Sequence, residues 1–213
     1  MMLMRHLGVS YRAALRVKHK LMVVMAEREE GKSLNGFIEL DDAYLGGERS
    51  GQVGRGAAHK LPFVAAVQTS AEGHPEQAKF QVVDGFRSRT IERWAKKALS
   101  PDCIVISDGL ACFRAVQKAG CIHAPLVCGG GKSSVEEPEL YWVNTLLGNL
   151  KSILRGTFHA FHFKYAQLYL SEFQYRFNRR FDLKAMLPRL AYVAVRTPPI
   201  PEWLLMRLRY EHN

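Results

Sequence analysis

Cysteine is scarce in this chain: four in 213 residues, at 103, 112, 121 and 128, with no two in Cys-x-x-Cys spacing. That excludes a zinc ribbon or a redox dithiol and leaves reduced, mostly buried thiols, as in a cytosolic protein. Long apolar runs are missing as well. The longest near the start, LMVVMA at 21–26, follows several basic residues and is too short for the apolar part of a secretory signal. No run approaches the length that spans a membrane. The expectation is a cytoplasmic protein with no membrane partner. Acids are in deficit, 20 against 30 lysines and arginines, for a net charge of +10. Such a balance points to nucleic acid or another anionic surface, and leaves open a basic enzyme with a small substrate.

Hydrophobic residues make up 47% of the chain, enough for the core of one ordinary domain. Ser10 is placed to cap a helix over 11–30 that Gly31 stops. With the glycine-containing turn before it, this basic helix fits either the second half of a helix-turn-helix or an amphipathic docking helix. GFIELDDAYLG, LPFVAAVQTS and AKFQVVDG read as three strands of an antiparallel meander. SRTIERWAKKAL reads as a helix capped at Ser88, and DCIVISDG as a short, buried parallel strand. LACFRAVQKAG is a helix closed by Gly120, and CIHAPLVC a fifth strand. Helices are expected over 141–156, 161–179, 183–195 and 201–209, with breaks at Asp182 and TPPIP. The order predicts an α/β fold: a mixed sheet of three antiparallel strands, then alternating helix–strand units, with helices on both faces and more at the C-terminus.

The helix YWVNTLLGNLKSILRG carries a packing stripe at Trp142, Leu146, Leu147, Leu150, Ile153 and Leu154. Asn144 and Lys151 lie off that stripe, seven residues apart. Seven residues at helical pitch return to nearly one side, so an amide and a cation share a face roughly 10 Å apart. Taken alone, this is a solvated face. Asp41 interrupts the apolar part of the first strand, and Asp42 after it is expected on the opposite sheet face. Asp108 ends the fourth strand, where open sheets bind ligands, or else caps the turn before Gly109. If those strands are neighbours, Asp41 and Asp108 can meet. Two such carboxylates suit hard divalent cations and two-metal phosphodiester chemistry.

IELDDAYLGG, GRGAAHKLPFVAAV, SDG, WVNTLLGNLK with the following RGTFH, and YLSEFQYRFNRR occur in this order. The ordered set, over roughly 8–195, resembles the ISXO-like insertion-sequence transposases of bacteria. The resemblance implies a DDE catalytic domain of ribonuclease H-like fold, using Mg²⁺ or Mn²⁺ for strand cleavage and strand transfer. It implies double-stranded DNA partners, element ends and target, and a homo-oligomer in the DNA complex. Carried over residue by residue, Asp41 and Asp108 match the first two acids. Asn144 falls where many relatives have the third, and branches of the family carry Asn there. Lys151 matches a lysine seven residues on. The implied metal ligands are Asp41, Asp108 and Asn144, with Lys151 completing the catalytic set. Relatives often begin with a zinc ribbon, for which there is no cysteine cluster here. The expected division is therefore 1–33, a helical remnant of a DNA-binding region, and 34–213, the catalytic domain with its C-terminal helices.

Candidate DNA contacts are Arg12 and Arg16 on the first helix, Arg49, Arg55 and Lys60 in and beside the glycine-rich loop, Lys151 and Arg155, and Arg176, Arg179 and Arg180. That loop and the GGGKSS stretch with Lys132 lack the phosphate-loop pattern. Tyr165, Tyr169, Phe173 and Phe177 recur at helical spacing and read as core, and His123 reads as a strand histidine. The alternatives are an inactive DNA-binding remnant, a ribonuclease H-like nuclease without strand transfer, or an unrelated basic enzyme. The last requires Asp41 and Asp108 to lie far apart.

Overall fold

The computed structural model describes residues 2–46, 60–126, 138–157 and 162–207. Arg49, Arg55, His59, Cys128 and Lys132 lie outside these. A short helix α1 (Met2–Leu7), which the sequence reading passes over as part of a turn, precedes α2 (Tyr11–Glu30). Ser10 caps α2 by accepting the Ala13 N–H, and Gly31 closes it. Three antiparallel strands follow: β1 (Phe37–Leu45), β2 (Leu61–Thr69) and β3 (Pro75–Val82). Then come α3 (Ser88–Ala98), β4 (Ile104–Ser107), a 3₁₀ helix (Ala111–Ala119) and β5 (Ile122–Pro125). The rest is helical: α4 (Tyr141–Thr157), α5 (Ala166–Phe177), α6 (Leu183–Ala194) and α7 (Glu202–Arg207). Ser88 is the first residue of α3 rather than its cap. Arg87 holds the cap position without a side-chain bond, and Thr90 instead donates to Asp84.

The five strands lie in the order β3-β2-β1-β4-β5, with β4 parallel to β1 and β5 parallel to β4. This mixed sheet with helices on both faces is a ribonuclease H-like fold. Side-chain alternation sorts the core into two layers. Ala43, Phe63, Ala65, Val67, Phe80 and Val82 face Val143, Leu146, Leu147, Leu150 and Leu154 of α4, Leu168 and Leu170 of α5, and Met22 of α2. Ile38, Leu40, Val64 and Ala66 face Ile91, Trp94 and Ala95 of α3 and Phe113 and Val116 of the 3₁₀ helix. The aromatic series on α5 joins the first layer: Tyr169 is buried, and Phe173 meets Phe80 edge-on at 5.4 Å. Cys103, Cys112 and Cys121 are buried free thiols. No helix among the described residues is long and apolar enough to cross a membrane.

Two polar devices tie the helices down. Glu29, 3% exposed, accepts from Arg179 (2.6 Å) and Asn178 (2.7 Å), clasping the end of α2 to the end of α5. On the edge strand β3, side-chain amides of α5 and its cap take the outward backbone groups. Asn178 accepts the Ala78 N–H (2.7 Å) and Gln174 the Phe80 N–H (3.0 Å). Gln167 accepts the Val82 N–H (2.9 Å) and donates to the Phe80 carbonyl (3.0 Å). An edge strand ordinarily leaves such groups open to another chain.

Candidate metal centre

The site arises because β1 outruns β4. Pairing between them ends at Leu40 opposite Ser107. The next residues on each strand are Asp41 and Asp108, so strand register alone places them side by side. Gly109 turns the chain immediately after Asp108. Its φ is +78°, and a Cβ there would stand 3.0 Å from the Leu126 carbonyl oxygen. The tight return lets the Leu126 N–H donate to the Ser107 carbonyl (2.7 Å), and the Leu110 N–H donate to Asp108 Oδ1 (3.1 Å). Asp108 thus caps its turn and presents its carboxylate to β1 together.

Asp42 joins them. One oxygen each of Asp41, Asp42 and Asp108 lies within 4.8 Å of the other two, and all three residues are half-buried. This corrects the expectation that Asp42 faces away. Past Leu40, β1 stays paired with β2 through Leu45 but has no partner on the β4 side among the described residues, so that edge is open there. The Asp42 N–H donates to Asp41 Oδ1 (2.7 Å) instead. The doublet is visible in the sequence, but the open β1 edge that brings its two acids together is not.

Burial pushes the Asp41 carboxyl up to about 7, and the negative charges of Asp42 and Asp108 push the same way. The Asp42 N–H and the Lys151 ammonium offset this in part. A carboxylate group so crowded with like charge is the chemistry of a cation site, and three oxygen donors suit a hard divalent ion such as Mg²⁺ or Mn²⁺.

Two residues before Asp41 on β1, Glu39 is 6% exposed and accepts the Val143 N–H at 2.7 Å. Burial carries its carboxyl up to about 7 against the opposing effect of backbone bonds from Val143 and Trp142. An acid set against the first turn of a helix satisfies otherwise unpaired N–H groups. Here it also pins α4 to β1. Asn144 follows Val143 and is half-buried, while Lys151 and Arg155 are exposed further along. The Lys151 charge reaches Asp41. A cavity of about 400 Å³ opens beside Glu39, lined by Phe37, Thr69, Tyr141 and Trp142 among others; the three aspartates are not part of it.

The other expected contacts are dispersed. Arg12 and Arg16 pair with Glu202 of α7. Arg179 is held by Glu29 and stacks on Tyr175 at 3.6 Å, and Arg180 donates to the carbonyls of Pro75, Glu76 and Phe177. Arg176 is exposed and Lys60 half-buried. His123 sits on β5, where its Nε2 meets the Ser107 hydroxyl at 2.9 Å.

A ribonuclease H-like sheet with acids gathered where β1 runs past the end of β4 places the protein in the class of ribonuclease H-like folds with a candidate divalent-cation site. Within that class the match is particular. The family described as ISXO2-like transposase domain matches residues 33–178, and the chain belongs to it. No curated protein matches the chain.

Proposed function

We propose that this protein is an insertion-sequence transposase that cleaves DNA at element ends and joins them to target DNA in a divalent-metal-dependent reaction in the cytoplasm. The observation that carries the reading is the meeting of Asp41 and Asp108 with Asp42 at the open edge of β1, in a chain of this family. Asp41 and Asp108 would hold Mg²⁺ or Mn²⁺. The bound ions supply a more acidic nucleophile, water and then a freed 3′-hydroxyl, and charge stabilisation for the leaving oxygen. Asn144 offers a neutral side-chain oxygen to the same reaction. Lys151, as a mobile point charge near Asp41, binds a phosphate of the incoming strand. Arg155 and Arg176, both exposed, and Lys60, Arg49 and Arg55 extend the cationic track for the duplex. The paired Arg12, Arg16, Arg179 and Arg180 contribute field more than direct contact. Two ends must be joined in one event, which calls for more than one copy in the DNA complex.

The experiment is a cleavage and strand-transfer assay with cognate ends in Mg²⁺ or Mn²⁺, run beside DNA binding at several salt concentrations. Asp41→Ala and Asp108→Ala each abolish cleavage while the protein stays folded. Duplex affinity falls steeply with salt, and Lys151→Ala lowers the salt slope by about one unit. Binding without cleavage by the parent identifies an inactive DNA-binding remnant. Cleavage without joining identifies a nuclease.

A further inference from the structure

We infer that Asp42 is the third carboxylate ligand of this centre, supplying the charge that a helix acid supplies where the position of Asn144 is acidic. The inference rests on the metal-dependent reading above and adds a residue to it.

Distance decides first. Ligand oxygens on one Mg²⁺ bind at about 2.0–2.1 Å, so they lie roughly 3 Å apart when adjacent and about 4 Å apart when opposite. Two ions about 3.5–4 Å apart widen that range further. The Asp41, Asp42 and Asp108 oxygens, all within 4.8 Å of one another, need only small side-chain rotations to share an ion or an ion pair.

Neighbouring strand residues ordinarily project to opposite faces. At this point β1 has left β4 behind, and the Asp42 N–H turns onto the Asp41 carboxylate. The doublet therefore straddles one free edge, with Asp108 facing it.

Asp41 and Asp108 bring two negative charges, Lys151 lies close enough to act on Asp41, and Asn144 brings none. Two divalent cations in such a setting are poorly neutralised. Asp42 raises the carboxylate count to three without any acid on α4. Asn144 sits beside Val143, on the turn that Glu39 holds.

The test is Mn²⁺ binding to the full chain by calorimetry without DNA, for the parent and for Asp41→Asn, Asp42→Asn, Asp108→Asn and Asn144→Ala. Melting curves in chelator show that each variant is folded. Asp42→Asn and Asp108→Asn should each weaken Mn²⁺ binding by about tenfold or more, since even residues that only support ligands cost that much. Asn144→Ala, which removes no charge, should weaken it less. Asp42→Asn should also lose most of the rise in melting temperature that Mn²⁺ gives the parent. Parent-like binding by Asp42→Asn, with Asp41→Asn and Asp108→Asn impaired, overturns the role of Asp42 and leaves the metal centre standing. Failure of the parent to bind Mn²⁺, or parent-like binding by all three Asp variants, overturns the metal centre and Asp42 with it.

Discussion

Burial, then the charges of Asp42 and Asp108, lift the Asp41 carboxyl from its ordinary 3.8 to about 7. The unfolded chain has no such crowding. The folded protein therefore holds this proton more tightly, and the group's contribution to stability is full below about pH 4. It is lost as pH rises through about 7. Asp41→Asn removes the charged form altogether. We expect the metal-free variant to be more stable than the parent at pH 8 by about 1–3 kcal/mol, discounted for the half-exposed site, and to match it near pH 4. Chemical denaturation in chelator at both values checks this, and a variant equal to or weaker than the parent at pH 8 counts against a strained carboxylate cluster. Asp41 and Asp108 were legible in the sequence because a polar residue within an apolar strand and an acid at a strand's end are visible one residue at a time. The approach of Asp42 to this pair was hidden. It depends on where β4 stops, and no local pattern in IELDDAYLGG records the length of a neighbour sixty residues away.

Helix α4 owes its placement to Glu39 as much as to its leucines. Removing a buried acceptor from two backbone N–H groups leaves them unsatisfied. Glu39→Ala should cost about 2–3 kcal/mol in urea unfolding, and Glu39→Gln, whose amide oxygen still accepts, should recover most of it. A full loss in Glu39→Gln would mean that the charge rather than the acceptor holds the helix. The Glu29 clasp makes the second test at this scale. Burial raises the Glu29 carboxyl, but hydrogen bonds from Asn178 and Arg179 and the charges of Arg179 and Lys32 outweigh it, so the net value lies below the usual 4.5. Its contribution is present above the ordinary value and lost as pH falls through the depressed one. Glu29→Gln leaves Arg179 without its anion and should cost roughly 3 kcal/mol at pH 7, with the gap narrowing in acid. An unchanged gap at pH 3 would separate the clasp from ionisation. The elements were mostly legible from capping and period: Ser10, Gly31 and the alternation in LPFVAAVQTS carry their own signals. The conversion of LACFRAVQKAG to a 3₁₀ helix was not, since i+3 and i+4 bonding share the same apolar spacing. Nor was the Glu39 contact, in which a strand residue serves a helix more than a hundred positions on.

At the scale of the whole molecule, the mixed sheet followed from the alternation of elements, because short parallel strands need crossovers and the meander does not; the adjacency of β1 and β4 stood in the sequence only as a condition, and the structure meets it. The docking of α2 did not follow. Its basic residues fit a DNA-reading helix and a packed one equally, and the burial of Ala14, His19, Met22, Val23, Val24 and Glu29, with Val24 against Tyr175 of α5 and Leu190 of α6, distinguishes the packed state. The amides of α5 along β3 have a consequence for how the molecule breathes. Edge strands normally trade their amide protons with solvent by fraying, independently of the rest of the sheet. In this protein the N–H groups of Ala78, Phe80 and Val82 are bonded to Asn178, Gln174 and Gln167. They can open only when α5 lifts away. In deuterium these three amides should therefore exchange together and slowly, at the rate of α5 rather than of an edge. Gln174→Ala should speed Phe80 by an order of magnitude or more while the β1 amides keep their protection. Fast exchange of all three in the parent would show that the amides are spectators. Slow, concerted exchange would make β3 and α5 a single opening unit, closing that margin of the sheet to any passing strand.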